Sequence, residues 1–153
     1  MFLIGGLSDK REVVMIDHKF KVIIPKTKYY FHVYVFQKNK DMYLHYSKIQ
    51  KKHPDIMTEK RDYDAIVISL KIERPYLNKK SWKIGEVLFV ENKIGSGLIA
   101  HECCHMAFWV ECLLNDNTEF LKTGTEERFC GLVDRFMRKI VGKFYELGMY
   151  DGY

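Results

Sequence analysis

Apolar residues in this chain follow two periods, and the switch between them divides it. From Val13 to Asn92 they alternate or come in short runs, as in strands. VVMIDHKFKVIIP, rich in Val and Ile, predicts one or two short strands ending at Pro25. YYFHVYVFQ (29–37) predicts a strong strand, with Phe31, Val33 and Val35 on one face and Tyr30, His32, Tyr34 and Phe36 on the other. DYDAIVISLKIE (62–73) and KIGEVLFVEN (83–92) predict two more. One helix interrupts them in NKDMYLHYSKIQKKH, with Asp41 as its cap and Met42, Leu44, Tyr46 and Ile49 as its apolar positions.

Past the turn KIGSG the period becomes helical. Ser96 is placed to cap a long apolar helix from Leu98 to Leu114. The linker NDNTEFLKTGT leads to a last helix, Glu126 to Leu147, in which Phe129, Leu132, Val133, Phe136, Ile140 and Phe144 recur at helical spacing. Gly148 is placed to end it. Strands mixed with one helix, then two long helices, predict an α+β fold: a small mixed sheet in the N-terminal half packed on two long C-terminal helices.

Composition adds bounds. The 153 residues fit a single domain, 1–153, able to bury a core without disulfides. No repeat or low-complexity tract divides it. Apolar residues at 47% and charged residues at 29% place it among ordinary globular proteins. The net charge of +5 is compatible with nucleic acid or an acidic partner. The lysines are spread over 26–28, 38–40, 48–52 and 79–80, and none of these runs is long, so a solvated face is the simpler expectation. No apolar stretch approaches the roughly 18 residues of a membrane span, so no membrane partner is expected. The apolar start MFLIGG has no basic region before it and makes a poor signal peptide. Cys103, Cys104, Cys112 and Cys130 form no C-x-x-C pair. They are expected as compact core filler in a protein of the reducing cytoplasm.

The candidate chemistry lies in GLIAHECCHMAFW (97–109). His101 and His105, four apart on the predicted helix, put both imidazoles on one side, one turn apart, where they can share a zinc ion. Glu102, about 100° round the helix, suits a general base. The spacing is the H-E-x-x-H of metallopeptidases, and it falls on a helix closely preceded by a strand. Two buried imidazoles and a carboxylate left unpaired would each cost about 1–3 kcal/mol, and a metal resolves all three. A catalytic zinc needs a third protein ligand and an open position. Glu111 is a poor candidate, about 15 Å along the axis from His101 and rotated away from both histidines. The last helix offers Glu126 and Glu127, both also suited to its dipole. Thr123 and Glu126 fit a capping box, which leaves Glu127 the freer carboxylate. The helical wheel favours Glu126, which points more directly along the apolar stripe. We prefer Glu127 and keep Glu126 as the alternative. Cys104 points about 100° away from His105, and Cys112 lies two turns beyond it, so neither completes a tetrahedral site easily.

This arrangement resembles the zincin metallopeptidases of the gluzincin type, with H-E-x-x-H on one helix and a glutamate on the next. It is most similar to small phage-encoded zincin-like proteins. LIAHECCHMAF and EERFCGLVDRF carry the resemblance, which spans about Val87 to Val141. It implies His101, His105 and Glu127 as zinc ligands and Glu102 as base. Arg128 breaks the family's small-residue pattern after the ligand glutamate and keeps Glu126 in play. Gly131 replaces a customary aspartate, and Asp134, one turn on, is placed to orient a ligand instead. The resemblance also implies that GEVLFVEN (85–92) is an edge strand binding extended substrate. For the oxyanion, Tyr145, Tyr150 and His32 are open alternatives.

The implied function is a zinc-dependent peptidase of the cytoplasm (the host's, if phage-encoded) acting on a peptide or protein. Zinc would polarise the scissile carbonyl, and Glu102 would carry a proton from water to the leaving amine. The alternative is a non-catalytic zinc-binding phage protein of the same fold that binds a host partner or nucleic acid.

Overall fold

A computed structural model describes residues 14–52, 64–69, 82–115 and 125–150. In chain order its elements are β1 (His18–Ile23), β2 (Tyr30–Phe36), α1 (Asn39–Lys52), β3 (Ala65–Ser69), β4 (Lys83–Val90), α2 (Ser96–Asn115) and α3 (Thr125–Glu146). The fold is α+β: a four-stranded mixed sheet from the N-terminal half and two long helices from the C-terminal half. The sheet order is β1-β2-β4-β3, with β2 and β4 parallel and the two outer strands antiparallel to their neighbours. Residues 70–73 of the third expected strand, and Thr123 of the capping box, lie outside the described residues.

Strand alternation sorts the sheet into two faces. Val22, Phe31, Val33, Val35, Val87 and Phe89 face α2 and α3 and form the main core with Ile99, Cys103, Met106, Val110, Phe136, Ile140 and Phe144. Tyr34, Phe36, Leu88 and Val90 face the other way and pack under α1 through Met42. Edge-to-face rings fix α3 on the sheet: Phe31 with Phe136 at 6.1 Å, and Phe89 with Phe144 at 5.2 Å.

The ends of the helices follow local chemistry. α3 stops at Gly148, whose φ of +71° suits glycine. There the N–H of Met149 donates to the Phe144 carbonyl and that of Gly148 to the Tyr145 carbonyl, the pairing of a Schellman motif. α2 begins at Ser96, two residues before the expected start, so Ser96 is its first residue rather than a cap outside it. Asp41 likewise sits in the first turn of α1, where it favours the helix dipole.

One expectation is corrected. β4 is not an edge strand: β2 pairs along one side of it and β3 along the other. Ile84 to Val90 are all buried, which needs cover on both faces and neighbours on both sides. β4 therefore offers no free backbone for an added strand. Among the described residues, the edges are β1 and β3.

Candidate metal centre

The inner face of α2 is set by Ile99, Cys103, Met106 and Val110, which are buried at helical spacing against the sheet and α3. Helix geometry then turns His101, Cys104 and His105 to solvent, so of the three groups expected to be buried only Glu102 is, and the cost of unpaired buried imidazoles does not arise. The two histidines meet there. His101 Nε2 and His105 Nε2 are 3.1 Å apart, with one neutral ring donating to the other. Two nitrogens bound to one tetrahedral zinc at about 2.05 Å are about 3.3 Å apart. The pair therefore fits two positions around one ion, on a surface that ion and substrate can reach. Burial lowers the pKa of His105, and the neighbouring His101 lowers it further.

Glu102 is turned inward and is almost fully buried. Burial alone pushes its carboxyl up to about 7. The inward turn places the carboxyl on a different side of α2 from the two exposed imidazoles.

The third-ligand candidates stand elsewhere. Glu127 lines a cavity of about 510 Å³ with Val110, Glu111, Arg128, Leu132 and Arg135, walled on the other side by Ile24, Pro25 and Lys26. Glu126 is exposed in the same first turn of α3. Among the described residues, no third His, Cys, Asp or Glu joins the histidine pair in a group able to hold a metal. Glu111 is fully buried and ion-paired with Arg128, consistent with its rejection as a ligand. Asp134 accepts a hydrogen bond at 3.0 Å from Arg138 on the surface, which occupies it in a helix-face pair.

No family model matches this chain, and no curated protein or solved structure matches it.

The structure removes one oxyanion alternative. His32 lies on the α1 face of the sheet, across from α2, because alternation puts it beside Tyr30 and Tyr34. Tyr145 is exposed in the last turn of α3, and Tyr150 packs against the main core. The cysteines also divide. Cys103 is buried core, with its thiol pushed by burial up to about 12. Cys104 and Cys130 are exposed and Cys112 is half-buried, so core filler describes only the first.

Sequence reasoning missed a second polar cluster. Glu86, buried on β4, receives His45 Nε2 of α1 at 3.2 Å and Lys83 Nζ at 3.1 Å on the same Oε1. Burial would raise its carboxyl; the hydrogen bond from His45 and the charge of Lys83 outweigh that and bring it down to about 2. Burial and the nearby Glu86 charge raise the Tyr34 hydroxyl. The signal was a charged residue inside the apolar run GEVLFV, since a buried carboxylate in a strand requires partners.

Proposed function

We propose that this protein is a zinc-dependent peptidase. His101 and His105 are its metal ligands, Glu102 carries the proton, and the first turn of α3 (Glu127, with Glu126 as the alternative) is the source sought for a third ligand. The carrying observation is the 3.1 Å approach of the two Nε2 atoms on an exposed helix face, with a buried carboxylate next in sequence. When bound, zinc supplies Lewis-acid polarisation of a carbonyl and a nucleophile at neutral pH. The two histidines would hold the ion on α2. Glu102, next to His101 in the chain, would accept a proton as the carboxylate and return it to the leaving amine as the acid.

An extended peptide needs a strand edge beside this helix. Among the described residues β3 is such an edge: it pairs with β4 on one side, and α2 packs against it. Among the described residues, no helix is long and apolar enough to cross a membrane. The proposed setting is the cytoplasm, the host's if the protein is phage-encoded.

The test is metal analysis with peptide hydrolysis. Purified protein should carry one zinc per chain, and His101→Ala or His105→Ala should lose it. Glu102→Gln should keep the metal and lose hydrolysis. Glu127→Gln should weaken zinc binding more than Glu126→Gln. Protein free of stoichiometric zinc would overturn the reading.

A further inference from the structure

Among the described residues, the sheet face that carries α1 is only partly covered. α1 lies over Tyr34, Phe36, Leu88 and Val90, towards β3. On the β1 side of the same face, Lys19, Lys21 and Ile23 are exposed. Register places Lys21 opposite His32 and Ile23 opposite Tyr30, so these side chains form one continuous surface. Lys21 Nζ stands 4.5 Å from the centre of the Tyr30 ring, and Lys19 Nζ stands 5.2 Å from that of Tyr34. His32 sits between the two tyrosines, with ring centres 5.0 Å from Tyr30 and 5.9 Å from Tyr34.

The charge on this surface is unbalanced. Glu86 is occupied by Lys83 and His45. Among the described residues, neither Lys19 nor Lys21 has a carboxylate partner. His32 adds no charge, because burial first, and then Lys83 and Lys19, lower its pKa to about 4. Two ammonium groups therefore lie over the outer rings of a row of neutral rings, on a strand face that, among the described residues, α1 leaves uncovered.

We propose that this half of the sheet binds single-stranded nucleic acid, with backbone phosphates at Lys19 and Lys21 and bases against Tyr30 and His32. Cations that track a backbone beside rings that accept any base are the two elements of such recognition. An open face suits a polymer better than a small phosphorylated molecule, which would need an enclosing pocket. A duplex keeps its bases stacked inside and offers the rings nothing. The site lies across the sheet from His101 and His105 and does not depend on the metal.

Fluorescence anisotropy with a labelled oligothymidylate of about 16 nucleotides tests this at about 50 mM salt and above. Binding should weaken with salt. Lys19→Gln/Lys21→Gln should weaken it roughly tenfold and flatten the log–log salt slope by about 1.4, for two phosphates at about 0.7 each. Tyr30→Leu should weaken it without changing the slope. Lys51→Gln/Lys52→Gln, which removes the same charge from the end of α1, should leave it unchanged. The proposal is overturned by no binding at low salt, by equal losses from the two lysine pairs, or by equally tight binding of a duplex of the same length.

Discussion

Arg128 Nε lies 3.5 Å from Glu111 Oε1, so the first turns of α3 are tied to a carboxylate that α2 buries. Arg128 is the residue that breaks the small-residue pattern expected after a ligand glutamate, and the ion pair gives it a structural role. Glu127 shares the wall of the cavity with Glu111 and Arg128, and Glu111 stands six residues, about 9 Å along α2, beyond His105.

Removing one partner of a buried ion pair leaves the other charge uncompensated. Arg128 is half exposed, so water replaces part of what it supplies. Arg128→Met should therefore destabilise the protein by about 1–3 kcal/mol in urea unfolding. Adding Glu111→Gln should recover part of the loss, because the buried charge is then gone. An unchanged urea midpoint in Arg128→Met would show that the pair carries no stability.

The elements were legible because their periods are strong. β2 alternates cleanly, and its two faces are occupied as its sequence implies. The stripe of α3 likewise places Phe136, Ile140 and Phe144 in the core. The order of strands was not legible, since nothing local states which strand lies beside which. One clue went unused: the apolar run of β4 lacks alternation, as expected of a central strand covered on both faces. At the site, the meeting of His101 and His105 follows from helix geometry alone. Where Glu127 points depends on how α3 packs on α2, a tertiary relationship that no spacing in the sequence encodes. The cluster around Glu86 draws on α1 and β4, about forty residues apart, and was invisible for the same reason.

Gly85 tests the sheet order. A Cβ there would run into the backbone carbonyl of Ile68 on β3 and come within 3.0 Å of the Phe31 ring on β2. The ring can shift, but the carbonyl belongs to the ladder that pairs β3 with β4. Gly85→Ala should cost about 3 kcal/mol, at the upper end for overpacking, because backbone has to move. It should also raise amide exchange in β3 above that in β1. A variant as stable as the parent would mean that β3 does not lie against β4 at this register.

Acid should unfold this protein through two successive limbs, set by neighbours on the α1 face. For His32, burial first and then the charges of Lys83 and Lys19 lower the ring's pKa from 6.5 to about 4. As pH falls through that interval, the unfolded chain takes up a proton that the folded one refuses, and stability declines. Below about pH 4 this loss is complete. Glu86 acts next. Its carboxyl is at about 2 when folded against 4.5 in the unfolded chain, so its contribution is full above pH 4.5 and disappears as pH falls towards 2. That difference corresponds to about 3 kcal/mol. Both groups lose stability in the same direction, but in windows that barely overlap. Urea midpoints followed by tryptophan fluorescence from pH 7 down to 3 should show His32→Gln flattening the upper limb alone. Glu86→Gln should flatten the lower limb and start from lower stability at pH 7, because His45 and Lys83 lose their shared carboxylate. If both variants keep the parent's full pH profile, other groups govern the acid transition, and the polar cluster on this face is not what couples the fold to pH.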